Sequence, residues 1–510
     1  MEARLDIRER PGRDAALFLL AALAFRGCFW FAMPRVIDSA DAVHYLGVAE
    51  HFRAGDFFGY DLKIPVLYPL LGALFSLFLP DVETACQAVS LAASALLVIP
   101  VYFLSRELHG QSAARVAAVI VVIWTWLADY ASRVSTEALA CTVWFLAVWL
   151  FARGLRRGGV WPVAAASLFF ALHLARPEGT FLLLAAFPAA AILCLGDDRG
   201  ARKASAPPAR ARRLVPFAVT CAFLLAAYGG YLWHLTGTFT INYRTQYIAG
   251  DVQLANAVLS PKGTLLDFIR TTSDTLFSVL PTMLGPVLVL FMGVGLFQPS
   301  ERHRDTRLEL YLLFFAAAQW GVSLSVRSPA PRYLMAVIVA LSLWSARGTV
   351  LVGRQAATLS WGRWLKPLPV VAIVAPMLFG TAVTLGAEHL GRRPREPREY
   401  KAAGLWMKEH IEPALVFTRK PQVGYYADMP TTGPAPEDTL DAAIDRARKA
   451  GARYFVVDER YTTQLVPALK PLLDPVQAPP DLRLLHEEKP PYPDARVVVY
   501  EIIGGRASPP

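Results

Sequence analysis

The stretch that decides the fold is an apolar run followed directly by an acidic segment: residues 16–33 read "ALFLLAALAFRGCFWFAM" and residues 38–52 read "DSADAVHYLGVAEHF". A helix needs roughly 20 largely apolar residues to span a bilayer, so the first run predicts a membrane-spanning helix. It lacks a small-residue cleavage site, which favours an anchor over a removed signal peptide. The chain therefore leaves the membrane and at once presents two carboxylates, Asp38 and Asp41.

The composition of the whole chain is typical of a polytopic membrane protein. Of its 510 residues, 55% are hydrophobic and 18% are charged, and such a balance is unusual for soluble domains. The formal charge of +10 comes from Lys and Arg in short loops between apolar runs, so it does not indicate nucleic acid as a partner. The five cysteines all fall inside apolar runs, and their pattern predicts neither a disulfide nor a cysteine metal site.

Eleven apolar segments are predicted to span the membrane. They lie at residues 15–34, 82–105, 114–130, 137–153, 160–175, 179–196, 214–235, 276–297, 308–326, 331–346 and 367–387. Basic loops alternate between the two sides, so the positive-inside rule predicts a multi-pass protein of the cell inner (plasma) membrane with a cytoplasmic N-terminus. The C-terminal segment is then extracytoplasmic, and loss of the short tenth span would reverse that orientation.

Two parts with different composition follow from this pattern. Residues 1–387 are predicted to form a transmembrane helical module whose first outer loop is 35–81, and residues 388–510 a small soluble α/β domain. In the second part, residues 399–411 and 438–450 read as helices. The strand-like segments there are "ALVFTRK", "ARYFVVDER" and "ARVVVYEII".

The acidic segment predicts an interfacial helix over residues 41–54, with Tyr45 and Phe52 on its apolar side. Its carboxylates have a structural explanation, because Asp38 can cap the helix and Asp41 is favoured by the helix dipole. They also have a functional one: a carboxylate beside hydrocarbon is costly unless water or a polar partner satisfies it. A site that handles a polar substrate at the membrane surface supplies both.

Further along the same loop, Asp61 and Lys63 precede the apolar segment 66–80. That segment is short and bounded by prolines, which favours a re-entrant or interfacial helix over a span. The Lys63 ammonium is suited to pairing with an anionic lipid head group, although snorkelling is the more common reason for a lysine at such a place.

An Asp four residues before a Tyr, the segment "AEHFRAG", a Lys just before a Pro, and basic loops on alternate sides resemble the GT-C glycosyltransferases. More narrowly, the chain is similar to the bacterial branch related to protein O-mannosyltransferases and lipid A aminoarabinose transferases. Such membrane enzymes transfer a sugar from a polyprenyl-phosphate donor, and many end in a soluble periplasmic domain. The resemblance covers the topology of the whole chain and is closest over residues 38–180.

The resemblance implies that Asp41 is the catalytic acid, because its spacing to the following Tyr is the spacing of the family, and that Asp38 is the less favoured candidate. Many relatives carry a second acid directly after the first, whereas this chain has Ala42 there. That departure weakens the case for a metal site. If a divalent cation such as Mg or Mn binds, its ligands are expected among Asp41, His44 and Asp61.

The remaining candidates are charged groups at the predicted outer ends of spans: Glu137, Arg176, Glu178, Arg244, Arg327 and Arg332. An arginine fork suits a phosphate because it donates two parallel hydrogen bonds, and relatives place an Arg-Tyr pair near the donor phosphate, which favours Arg332. Helix starts, tight turns and snorkelling explain these groups as well. Arg26, inside the first span, is expected to face the bundle and pair with one of the acids.

These features predict an inverting hexosyl or pentosyl transferase with Asp41 as general base, and with Lys63 and Arg332 stabilising the departing lipid phosphate. The acceptor is a hydroxyl of a glycolipid, a polysaccharide or a protein. The alternative is a transporter or flippase of lipid-linked glycans, which would be expected to show inverted repeats and polar groups at the bilayer midplane. A non-catalytic sensor is a weaker alternative.

Overall fold

The computed structural model describes residues 10–194, 211–243, 270, 272–298, 306–325, 331–359, 362–389, 397–490 and 492–503. The chain divides into two compact units. The helical unit comprises Met1–Trp30 with Val48–Thr381, and the sheet unit comprises Phe31–Gly47 with Ala382–Pro510. The sheet unit thus includes a short N-terminal segment that the sequence assigns to the membrane module.

The first part of the chain is helical, and a π-helical turn (Thr275–Val279) precedes the short helix Leu280–Leu284. The α-helices are α1 (Pro11–Ala32), α2 (Ala40–Arg53), α3 (Leu67–Phe75), α4 (Val82–Leu96), α5 (Val98–His109), α6 (Gln111–Ile123), α7 (Thr125–Ala131), α8 (Glu137–Arg157), α9 (Trp161–Ala175), α10 (Gly179–Cys194), α11 (Leu214–Thr236), α12 (Leu280–Leu284), α13 (Pro286–Phe297), α14 (Thr306–Ser325), α15 (Pro331–Ala356), α16 (Gly362–Leu365) and α17 (Leu368–His389).

Among the described residues, six helices are long and apolar enough to cross a membrane, or up to eight if each of two bent pairs is one span. The six are Pro11–Ala32, Val82–His109, Glu137–Arg157, Leu214–Thr236, Arg332–Ala356 and Leu368–Ala387. The bent pairs are α6 with α7, at 51°, and the helical stretch ending in α12 with α13, at 108°. The chain is therefore a multi-pass helical protein, while the predicted count of eleven spans is not confirmed. The apolar helices α9 and α10 have only 15 and 16 residues.

Arg26 satisfies the backbone at the break between α6 and α7. Trp124 at the break has an extended conformation (φ −71°, ψ 113°), so the last carbonyls of α6 lack helical partners. The fully buried guanidinium of Arg26 donates to the carbonyls of Val121 and Val122, each at 2.7 Å. Its Nε donates to Ser94 Oγ at 2.7 Å. The prediction that Arg26 pairs with an acid is wrong, because carbonyl and hydroxyl oxygens of the broken helix and its neighbour take up its donors.

Arg26→Met is expected to lower the free energy of unfolding by about 2 kcal/mol, because two buried carbonyls lose their donor and each costs roughly 1–3 kcal/mol, partly offset by removing a buried charge. The measurement is the unfolding midpoint of the detergent-solubilised protein. Arg13→Met is the matched control, since Arg13 is an exposed residue of the same helix. Equal midpoints for the two variants would mean that the break does not depend on the guanidinium.

Close backbone packing fixes the position of α15, which carries site residues at its start. A Cβ atom added to Gly348 would collide with the carbonyl of Phe291 in α13, and one added to Gly295 would collide with the carbonyl of Trp344. The Ser345 hydroxyl donates to the carbonyl of Leu288 at 2.8 Å across the same contact. Small residues facing each other in this way let two apolar helices approach at backbone distance.

The sheet unit contains a five-stranded sheet in the order β2-β1-β3-β5-β4. Its elements are α18 (Arg398–His410), β1 (Val416–Thr418), α19 (Pro421–Ala427), β2 (Thr431–Thr432), α20 (Leu440–Lys449), β3 (Tyr454–Asp458), α21 (Thr462–Leu465), β4 (Leu482–Glu488) and β5 (Val497–Ile502), with 3-10 turns at Pro467–Leu473 and Pro475–Gln477. Strands β2, β1 and β3 are parallel, and β5 is antiparallel to both of its neighbours. Three strands and two helices lie where the sequence predicts them, whereas β2 and β4 were not predicted.

Helices cover both faces of this sheet, as expected for strands buried on two sides. Helix α20 packs with Phe417 and Phe455 on one face, and α18 and α19 pack together on the other. A buried ion pair links α18 to the loop after β3, with Arg460 Nε 2.5 Å from a Glu399 carboxylate oxygen. Next to it, the Tyr400 hydroxyl donates to Asp458 at 2.8 Å. The N-terminal end of α18 is thereby fixed to the sheet.

Candidate functional site

The helical unit contains a cleft that brings together four of the residues predicted from the sequence. It has about 370 Å³ of empty space and lies between the first turns of α8, α10 and α15 and the last turn of α9. Its charged and polar lining residues are Glu137, Arg176, Glu178, Gln319, Arg332 and Tyr333. Helix ends that are distant in sequence therefore present both acids and both arginines to one space.

Arg176 is at the centre of this cleft. Its guanidinium lies 3.4 Å from Glu137 Oε1 and 3.4 Å from Glu178 Oε1. Glu137 is buried at the first turn of α8, and its N-cap position, Thr136, makes no side-chain capping bond. The glutamate is therefore part of an ion-pair network as well as a helix start.

Tyr333 joins the two arginines. The Arg176 guanidinium lies 5.1 Å from the centre of its ring, and the Arg332 guanidinium lies 5.0 Å from the same centre. Arg332 Nη2 also donates to the Tyr333 hydroxyl at 3.1 Å. A phenol ring holds two cations close together here, which concentrates positive charge for an anionic ligand.

The turn that carries Arg176 needs its glycine. After α9, Arg176 is extended (φ −152°, ψ 141°), and its carbonyl accepts from the Gly179 amide at 2.9 Å. A Cβ atom on Gly179 would lie 2.5 Å from the carbonyl oxygen of Leu172, so only glycine lets α10 begin this close to α9. The sequence "ARPEG" thus forms a compact turn, and two of its residues, Arg176 and Glu178, line the cleft.

Lys63 lines a second cavity of the helical unit, with about 320 Å³ of empty space. Other residues in its wall are His173, Tyr228, Asn242 and Tyr243. Lys63 and Arg332, expected together at the donor phosphate, therefore line different cavities. The turn between α9 and α10 contributes residues to both.

His173 is a polar residue that the sequence analysis missed. It is buried, its Nδ1 is 2.7 Å from Thr180 Oγ1, and its Nε2 makes no hydrogen bond of normal geometry, although the backbone of Ile241 is near. A polar ring buried at the wall of a polar cavity is suited to binding a ligand hydroxyl or phosphate. The signal in the sequence is a histidine inside an apolar run, three residues before Arg176.

Asp38 and Asp41 lie in the part of the chain that belongs to the sheet unit. Asp41 is exposed in the first turn of α2, and Asp38 is partly buried just before that helix. Ser39 Oγ accepts from the Ala42 amide at 3.3 Å. The structural explanation of Asp38 as the helix cap is therefore wrong, since Ser39 takes that role. Tyr45 is partly buried on the same helix.

The loop after α2 is built from local carboxylate bonds. Asp56 accepts from the amides of Phe58 and Gly59 at 3.0 and 2.8 Å, and these donors hold the pKa of Asp56 below its usual value. Asp61 is exposed and accepts from the Lys63 amide at 3.0 Å. Asp61 thus shapes the turn that presents Lys63.

The residues proposed for a metal do not make a preformed site. Across the described ranges, no three His, Cys, Asp or Glu side chains come together in a way that could hold a metal ion. Asp41 and His44 are both exposed on α2. Two further candidates, Arg244 and Arg327, lie outside the described residues.

Known proteins resemble this chain in sequence profile and in fold. The family profile described as dolichyl-phosphate-mannose-protein mannosyltransferase matches residues 63–205. No curated protein sequence matches the chain. A crystal structure of ArnT from Cupriavidus metallidurans bound to undecaprenyl phosphate superposes with a TM-score of 0.62 at 15% identity, covering 97% of this chain and 99% of that one.

The Archaeoglobus fulgidus oligosaccharyltransferase is also similar in fold. Its apo form has a TM-score of 0.58 at 13% identity, covering 91% of this chain and 73% of that chain. A complex of the same protein with Zn and sulfate has a TM-score of 0.55 at 14% identity, covering 88% and 68%. The resemblance to the GT-C glycosyltransferases is confirmed, and the likeness at this identity shows a shared fold.

Proposed function

We propose that the chain is a membrane glycosyltransferase that moves a sugar from a polyprenyl-phosphate donor to a hydroxyl acceptor on the extracytoplasmic face of the inner membrane. The observation that carries the proposal is the cleft in which Arg176 and Arg332 share the ring of Tyr333. Two guanidinium groups at the ends of apolar helices suit a phosphate attached to a lipid. The fold shared with ArnT, whose structure holds undecaprenyl phosphate, supports this choice of donor.

A buried donor in the same cleft supports a ligand there. Trp144 is 1% exposed and lines the cleft, and its indole N–H has no hydrogen-bond partner among the described residues. Buried donors are normally satisfied, so this N–H is available to an oxygen of a bound molecule. Glu137 and Glu178 hold the Arg176 side chain in place, and Arg332 is the phosphate-binding residue we favour.

Asp41 is the proposed general base. It takes the proton of the acceptor hydroxyl while that oxygen attacks the anomeric carbon, and the bond from that carbon to the phosphate oxygen breaks. Polyprenyl phosphate leaves with the electron pair, and a single displacement inverts the anomeric centre. General-base help is worth about 10²–10⁴-fold. The leaving phosphate is a weak base, so it needs charge stabilisation by cationic side chains and no strong general acid.

The second cavity is the proposed place for Lys63 to act. Its wall of Lys63, His173 and Asn242 suits hydroxyl and phosphate oxygens. Because the Archaeoglobus protein was crystallised in complex with Zn and sulfate, the dependence of this protein's activity on a divalent cation should be tested. Within the described ranges, this chain has no preformed set of metal ligands. The sugar is a hexose or a pentose, and the acceptor is a glycolipid, a polysaccharide or a protein.

The direct test is donor consumption by the full-length protein in detergent or nanodiscs. A panel of synthetic polyprenyl-phosphate hexoses and pentoses is supplied with lipid or protein acceptors, and released polyprenyl phosphate is measured by mass spectrometry. We expect one donor to release polyprenyl phosphate in step with acceptor glycosylation, with a parallel arm in EDTA. Flipping of an intact donor, with no polyprenyl phosphate formed across the panel, would identify a transporter instead.

A further inference from the structure

The acidic segment before α2 is held by the sheet unit through its main chain. Tyr426 in α19 is 7% exposed, and its hydroxyl accepts from the buried Ile37 amide at 2.8 Å. Lys401 in α18 donates from Nζ to the carbonyl of Arg35 at 2.8 Å. Residues 34–38 belong to no helix or strand, so their polar backbone groups need partners of this kind.

The two holding side chains also contact each other. Lys401 Nζ lies 4.9 Å from the centre of the Tyr426 ring, which is within the range of a cation–π interaction. A change in either residue therefore weakens the support of the other. We call the two side chains that make these backbone hydrogen bonds, Lys401 and Tyr426, the clamp.

The two helices that carry the clamp, α18 and α19, pack firmly against the sheet. Tyr400 and Met407 of α18 and Val423 and Ala427 of α19 share one buried core with the sheet. The Glu399 and Arg460 ion pair, with both side chains nearly inaccessible to solvent, anchors the start of α18 two residues before Lys401. The buried Tyr426 side chain therefore has few alternative positions.

The position of the clamp in the sequence gives it a consequence. Ile37 is fixed directly before Asp38, and α2 begins only three residues later at Ala40, with Asp41 in its first turn. Because Tyr426 and Lys401 grip backbone atoms, they set the start and direction of the acidic helix. Val36 and Met33, which flank the bonded backbone groups on the N-terminal side, are also buried.

We propose that Lys401 and Tyr426 are positioning residues, through which the C-terminal α/β fold sets the placement of the acid at residue 41. The catalytic meaning of this inference rests on the proposed function, whereas the clamp itself can be measured without activity. A displacement of about 1 Å in a catalytic group costs up to about 10²-fold in rate. The contacts on which this inference depends all lie within the sheet unit.

The first arm of the test is amide hydrogen exchange of the full-length protein over residues 34–41. Tyr426→Phe and Lys401→Met are expected to speed amide exchange of that peptide by about tenfold or more. Exchange requires local opening of the peptide, and each variant removes a hydrogen bond that this opening would otherwise have to break. The matched control for Tyr426→Phe is Tyr425→Phe, which changes the neighbouring tyrosine of α19. The matched control for Lys401→Met is Lys408→Met, which changes another lysine of α18, 3.5 Å from Asp428. Equal exchange in clamp and control variants would overturn the clamp.

The second arm is kinetic. Both clamp variants are expected to lower kcat by about tenfold with donor KM within about twofold, since the bound donor is unchanged but the base is misplaced. Lys401→Arg, which keeps a cationic donor, is expected to recover most of the rate. Faster exchange with an unchanged kcat would overturn the positioning role. If Asp41→Asn keeps full activity while exchange still responds to the clamp variants, the proposed base fails and the clamp stands.

Discussion

Asp41→Asn is expected to lower kcat for sugar transfer by about 10²–10⁴-fold while leaving expression and folding intact. The amide has almost the same shape as the carboxylate but cannot take up the acceptor proton. Asp41 is exposed in the first turn of α2, where its favourable interaction with the helix dipole is worth about 0.3–1 kcal/mol. The measurement is polyprenyl phosphate release by the purified variant, with its unfolding midpoint determined in parallel.

Glu50→Gln is the matched control for this variant, because Glu50 is another exposed carboxylate of the same helix. We expect the control to retain wild-type turnover. Asp38→Asn tests the less favoured acid, which is partly buried just before the helix. Loss of activity in Asp38→Asn with normal turnover in Asp41→Asn would move the base to Asp38. Normal turnover in both variants would remove the acidic segment from the chemistry.

Arg176→Met is expected to lower the free energy of unfolding by about 3 kcal/mol or more, because it leaves a buried carboxylate without its partner. The Glu137 side chain is 7% exposed and 3.4 Å from the Arg176 guanidinium. An exposed pair is worth only about 0–1 kcal/mol. Arg115→Met is the matched control, since the Arg115 side chain is 48% exposed beside Asp14. Chemical unfolding of the solubilised variants gives both values.

The double variant separates stability from function at this cleft. Glu137→Gln combined with Arg176→Met removes the charge of the more deeply buried of the two carboxylates paired with Arg176, and is expected to recover most of the lost stability. Its kcat/KM should nevertheless stay about 10²-fold below wild type, because one of the two guanidinium groups for the phosphate is absent. Recovery of activity together with stability would assign Arg176 a purely structural role.

Local patterns predicted much of the fold. Short runs rich in β-branched and aromatic residues placed β1, β3 and β5, and hydropathy identified the apolar helices. The short strand β2 and the partly exposed β4 carry no such pattern, because pairing with a neighbour makes them strands. The break between α6 and α7 was not predicted, since the carbonyls that it frees are satisfied by Arg26, which lies about a hundred residues away in sequence.

The candidate site was predicted in part for a physical reason. Glu137, Arg176, Glu178 and Arg332 all lie at ends of apolar helices, and antiparallel packing brings alternate ends to one level. Lys63 and Arg332 line different cavities because the turn between α9 and α10 runs between them. The path of that turn in space cannot be predicted from the order of residues along the chain. The attachment of residues 31–47 to the sheet unit is likewise a tertiary contact, because nothing in that segment distinguishes it from a free loop.

The turn between α9 and α10 also bears on how such a protein can diverge. Arg176 and Glu178 face one cavity while His173 and Pro177 face the other, and Gly179 leaves no room to reshape the backbone between them. A substitution in this turn that changes the shape of one cavity therefore also changes the shape of the other. The ligand preferences of the two cavities should change together in evolution, and exchanging this turn between homologues should alter both preferences at once.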